Sequence, residues 1–105
     1  MHVEWSEHAR NDLAAILRYV SEGFGLSIAN RVKDEIGHDI NTLTEFPLMG
    51  VLIHNDSKTN ISYRSLSSKY HKLVYSIQGE TLYIVTIWNT RHDNKKLVTL
   101  LKRNV

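Results

Sequence analysis

The sequence predicts an α+β fold in which an N-terminal helix hairpin packs on a three- or four-stranded antiparallel sheet, followed by a short C-terminal helix. Three observations predict it. Apolar residues recur at every third or fourth position across residues 7–22 and again from about residue 27 to Pro47, the spacing of two amphipathic helices. From residue 61 onward the period changes to two, and a Gln-Gly-Glu turn joins two strand-like arms. Finally, 105 residues with 42% hydrophobic and 23% charged content suit one soluble domain with a single core, residues 1–105.

Taken in order, His2–Trp5 reads as a short extended piece. Ser6 is placed to cap the first helix, and Glu7 in its first turn favours the helix dipole. Ala9, Leu13, Ile16, Leu17 and Val20 form that helix's apolar stripe, and Gly23-Phe24-Gly25 stops it. The second helix starts near Ser27, carries Ile28, Val32, Ile36, Ile40 and Leu43 on one face, and ends before Pro47. Residues 46–50 form a turn and Val51-Leu52-Ile53 a short strand, while residues 54–60 are polar enough for an exposed loop. Residues 61–66 alternate, with Arg64 expected on the polar side of the strand.

The stretch 70–93 is the hairpin around which the rest is organised. Its first arm sets Leu73, Tyr75 and Ile77 against Lys72, Val74 and Ser76. Its second arm is apolar on both faces, Leu82, Ile84 and Trp88 on one and Tyr83, Val85 and Ile87 on the other, as expected of a central strand. Gly79 supplies the positive φ of the turn. After Asn89-Thr90-Arg91-His92-Asp93, either Asp93 or Asn94 can cap a last helix bearing Leu97, Val98, Leu100 and Leu101. That helix would cover part of the second sheet face, leaving a groove rimmed by Arg64, Lys72, Arg91 and His92.

Charge is divided along the chain. Residues 1–57 hold four Lys and Arg against nine Asp and Glu, net −5, whereas residues 58–105 hold nine against two, net +7. A basic half suits a polyanionic partner, and equally a solubilising surface. No apolar run approaches a membrane span, and charges sit where a signal peptide needs its apolar stretch, so a cytoplasmic protein is expected. Absence of cysteine excludes disulfides, thiolate nucleophiles and cysteine–zinc sites. The six histidines are scattered without HxxxH or HExxH spacing, and the basic half holds two carboxylates, so neither a metal nor any other cofactor is expected.

What remains is a cationic set, Arg64, Lys69, His71, Lys72, Arg91 and His92, with Tyr63, Tyr70 and Tyr75 among them. RNA cleavage can proceed without metal, because the 2′-hydroxyl is the nucleophile and the protein need only move protons and stabilise charge. His92 would serve as acid/base and Arg91 as phosphorane clamp. The plainer alternatives are an Arg91 paired with Asp93, an ordinary His92 at a helix start, and Arg64 and Lys72 as charges on a solvated sheet face. Trp5, Trp88, Tyr75 and Tyr83 read as core or hairpin residues.

The opening VEWSEHARNDLAAILRYV, the LTEFPLMG turn and the KLVYSIQGETLYIVTIWNTRHD hairpin together resemble the RelE/ParE superfamily, the toxin half of type II toxin–antitoxin modules. The resemblance covers nearly the whole chain and implies a growth-inhibiting toxin. The ParE branch, to which it is slightly closer, implies inhibition of DNA gyrase without a catalytic set; it has long helices and an R-x-D ending such as Arg91-His92-Asp93. The RelE branch, the alternative, implies a ribosome-dependent, metal-independent mRNA endonuclease using Arg64, Lys72 and Arg91. Leu97 falls where that branch can carry a tyrosine, leaving His92 as the substitute. In either branch, contact with target or nucleic acid would fall to Arg64, Lys69, His71, Lys72, Arg91 and Lys95. Both branches imply a cognate antitoxin whose C-terminal segment wraps the toxin. A non-toxic binding module on the same scaffold is the third reading.

Overall fold

The computed structural model describes residues 1–68 and 71–89. The order is β1 (His2–Trp5), α1 (Glu7–Phe24), α2 (Leu26–Glu45), β2 (Val51–Asp56), β3 (Ile61–Ser67), β4 (His71–Gln78) and β5 (Thr81–Asn89). This is the expected helix hairpin on a sheet. The sheet has five strands in the order β1-β5-β4-β3-β2, because β1 joins the antiparallel set by pairing parallel to β5, from His2 against Thr81 to Trp5 against Ile84. The last helix expected after Asp93 lies outside the described residues.

Local chemistry explains the boundaries. Ser6 is extended and its hydroxyl accepts from the Ala9 amide, capping α1 as anticipated. The helix runs two residues beyond residue 22, because Gly23 is tolerated inside it and the stop is Gly25. That residue takes φ +94° and sends its amide to the Ser21 carbonyl. With Gly25 alone between them, α1 and α2 form a tight hairpin. Pro47 ends α2 and occupies the second position of a turn closed from the Met49 amide to the Phe46 carbonyl.

The polar residues 54–60 depart from expectation. His54, Asn55 and Asp56 continue β2, pairing with Tyr63, Ser62 and Ile61, and only residues 57–60 turn. On an edge strand the backbone ladder suffices and polar side chains face water, so hydropathy understates the strand. Asp56 closes the turn by accepting from the Lys58 amide, and Asn60 adopts φ +60°. Between β4 and β5 the loop is Gly79-Glu80, with Gly79 at φ +62° as required.

The helices cover one sheet face. Ala9 of α1, Ile36, Ile40 and Leu43 of α2, and Leu73, Tyr75, Leu82, Ile84 and Ile87 of β4 and β5 are buried together, with Trp5, Leu13, Ile16, Val32, Leu66 and Ile77 packed around them. Each fully buried aliphatic side chain contributes on the order of 1.5–3 kcal/mol. A smaller cluster on the second face joins buried Tyr63 and Val74 to Ile53, Ile61, Val85 and Trp88.

The faces of β5 differ from a simple alternation. Tyr75 pairs with Ile84 but Val74 with Thr86, so β5 carries one extra residue at a bulge around Val85. Leu82, Ile84 and Ile87 therefore share the helix face, while Val85 and Trp88 fall on the other. Asp12 of α1 and the helix's N-cap Ser6 hold the bulge. Asp12 Oδ2 accepts from the Thr86 hydroxyl and, at 3.1 Å, from the Ile87 amide, and the Ser6 hydroxyl donates to the Val85 carbonyl at 2.7 Å.

Candidate functional site

The cationic residues of the hairpin region do not form one basic groove among the described residues. Arg64 pairs across the ladder with Tyr75, and Leu66 with Leu73, which puts Arg64 on the helix-covered face rather than on an open polar side. There its guanidinium donates to the Gly50 carbonyl at 2.8 Å and lies 3.4 Å from that of Leu48. Lys72 pairs with Ser67 and Trp88 on the opposite face. His71 is buried on the helix side, with Nε2 3.1 Å from Asp39 Oδ2 of α2 and the Ser68 hydroxyl 3.0 Å from Nδ1. Lys69, Arg91, His92 and Lys95 lie outside the described residues. Neither of two surface grooves formed by described residues is lined by Arg64 or Lys72, and the larger, about 760 Å³ along α2, is lined by Asp34, Glu35, Asp39, Arg31 and His38.

Ser68, His71 and Asp39 have the composition of a nucleophilic triad without its geometry. A relay needs the carboxylate on one ring nitrogen and the hydroxyl on the other. Here Ser68 also lies 3.1 Å from Nε2, the nitrogen that meets Asp39, and the ring is 4% exposed. The cluster ties the start of β4 to α2. Among the described residues no three His, Asp or Glu side chains converge as a metal set.

A different constellation organises the β2 end of the sheet. Tyr75, completely buried in the helix-face core, donates its hydroxyl to the Pro47 carbonyl at 2.7 Å and accepts from the Gly50 amide at 2.9 Å. Burial raises its pKa above the ordinary 10.0, with the Gly50 amide and the Arg64 charge pulling the other way, so the neutral phenol fills both roles. A Cβ on Gly50 would lie 2.5 Å from the Tyr75 oxygen and 2.9 Å from the Ser65 carbonyl, so glycine is required there. Tyr75 and Arg64 thus clamp the turn 46–50 from below. The turn and the start of β2 hold Phe46, Leu48, Met49, Val51 and Leu52 outward, all substantially exposed.

Sequence reasoning missed this surface, although a signal was present. Residues 46–55, FPLMGVLIHN, contain no Lys, Arg, Asp or Glu. It also missed Asp12 and Asp39, which look like ordinary solvated helix charges until the tertiary fold brings β5 and β4 beside them.

Comparison with known proteins agrees with this architecture. The family model described as ParE toxin of type II toxin-antitoxin system, parDE, matches residues 3–94. A solved structure titled "Chromosomal ParDE TA system from P. aeruginosa" superposes with a TM-score of 0.65 at 18% identity, covering 85% of this chain and 95% of that one. No curated protein matches. With the family pattern spanning both helices and all five strands, the chain belongs to the ParE toxin family of type II toxin–antitoxin systems.

Proposed function

We propose that the chain arrests growth in the manner of the ParE branch, by binding DNA gyrase as a protein target, and that a cognate antitoxin neutralises it. The family match over residues 3–94 favours this branch. The observation that carries the choice of mechanism is the separation of the cationic residues. A metal-free nuclease needs its clamp and its proton carriers around one phosphate. Arg64 and Lys72 lie on opposite sheet faces, Arg64 is directed at main-chain carbonyls, and His71 is buried against Asp39. A protein-binding toxin places no such demand on them. The antitoxin follows from the solved relative, whose title names a ParDE toxin–antitoxin system.

The test is induced expression without antitoxin. The expected sequence of events is growth arrest and a DNA-damage response with mRNA intact, together with loss of supercoiling activity when purified chain is added to gyrase. Transcript cleavage as the earliest event would transfer the chain to the endoribonuclease reading. Absence of any growth effect would leave a non-toxic binding module.

A further inference from the structure

The turn and edge strand that Tyr75 and Arg64 hold in place carry an exposed apolar surface that the toxin reading does not use. Phe46, Leu48, Met49, Val51 and Leu52 are 60%, 69%, 47%, 70% and 51% exposed. The first three precede β2 and the last two open it; β2 ends the sheet order, and its outer edge meets no strand among the described residues. Val51 pairs with Ser65 on the second face and Leu52 with Arg64 on the helix face, so apolar side chains border this edge above and below. The opposite edge is protected differently, since β1 has four residues and carries His2 and Glu4.

We propose that β2 is a self-association edge, at which two copies of this chain pair their β2 strands antiparallel about a two-fold axis and bury residues 46–52 between them. Three observations select a second copy. A two-fold interface brings identical residues together, so charged segments repel themselves, and residues 46–55 carry no Lys, Arg, Asp or Glu. Because β2 is irregular between Leu52 and His54, it advances only three ladder positions from Leu52 to Asp56, and pairing centred on Leu52 leaves the two Asp56 carboxylates roughly 20 Å apart along the strands, at a rise of about 3.3 Å per residue. The five side chains expose on the order of 500 Å², so a pair that covers them fully removes at most about 1,000 Å², the lower bound of a specific interface. The surface is also preorganised. The Tyr75 hydroxyl and the Arg64 guanidinium fix the turn through Pro47 and Gly50, so little ordering accompanies association.

Sedimentation equilibrium of the full chain across roughly 1–100 µM, the range expected of a minimal interface, tests this. The wild type should pass from monomer to dimer, and amides of residues 51–56 should gain exchange protection as concentration rises. Val51→Lys and Leu48→Asp, both at exposed positions, should weaken association at least about tenfold with unchanged thermal melts, because each places like charges across the axis. Tyr19→Lys, on an equally exposed apolar side chain of α1, should associate as the wild type does. A wild type that stays monomeric at the highest concentration overturns the proposal, as does a dimer indifferent to Val51→Lys or one equally lost in Tyr19→Lys. So does a chain that is monomeric alone but gains protection at residues 51–56 only when antitoxin is added, since the edge then belongs to that partner. The readout is mass in solution, so it stands apart from whether the chain acts on gyrase.

Discussion

Tyr75→Phe removes one oxygen from the middle of the core and leaves the ring in place, which makes it the sharpest test of how the exposed turn is held. Two bonds are lost, the donation to Pro47 at 2.7 Å and the acceptance from Gly50 at 2.9 Å. The Gly50 amide is buried and is left without its acceptor, so the loss exceeds that of an exposed pair and comes to roughly 2–4 kcal/mol. Against a total of roughly 5–15 kcal/mol for a domain of this size, that is a large fraction. The corresponding fall in Tm is roughly 8–16 °C. Urea and thermal melts followed by circular dichroism measure it. Gly50→Ala should be at least as damaging, because the new methyl would lie 2.5 Å from the Tyr75 oxygen. In the Tyr75→Phe background the same alanine should cost somewhat less, since the closest clash has gone, but the approaches of 2.7 Å to the ring Cε1 and 2.9 Å to the Ser65 carbonyl persist. A Tyr75→Phe protein within about 0.5 kcal/mol of wild type would refute the clamp, for that is the scale of an inconsequential surface change.

Three further expectations follow from the same contacts. Burial raises both Tyr75 and Tyr63 above 10.0, so the unfolded chain releases those protons first; stability should be intact below pH 10 and fall as pH rises beyond it, with a shallower alkaline limb in Tyr75→Phe. Asp12→Ala strips the acceptor from the Thr86 hydroxyl and the Ile87 amide and should cost roughly 2–3 kcal/mol, whereas Asp12→Asn, which keeps a carbonyl oxygen, should cost about half as much in the same melts. Ser6→Ala loses both the cap on Ala9 and the bond to the Val85 carbonyl, and should lower stability by about 1–2 kcal/mol; a change no larger than that of Ser21→Ala, a half-buried α1 serine bonded only to the Arg18 carbonyl of its own helix, would contradict the tie between cap and bulge.

Much of the site was out of reach of pattern reading, and particular residues show why. Arg64 occupies an alternating strand, and alternation assigns it to the polar side; the turn at Gly50 arrives from another part of the chain and offers it carbonyl oxygens on the helix side. His71 looked like one more cation of the basic half until α2 set Asp39 against it. The exposed apolar turn was hidden differently, since Pro47 and Gly50 announced a turn, and turns are expected to be polar.

The helices, their cap and stop, the β4–β5 hairpin and the α+β class were legible in the amino-acid pattern, because these depend on interactions within a few residues. Ser6 reaches Ala9, Gly25 reaches Ser21, and apolar spacing marks one face of each element. The parallel place of β1 beside β5, the bulge that reverses the faces after Val85, and the clamp of Tyr75 and Arg64 on the turn at 46–50 emerge from packing between distant segments. Each of these joins groups far apart in the chain, as Asp12 and Ile87 are, and a hydrogen bond across that separation leaves no periodicity to read.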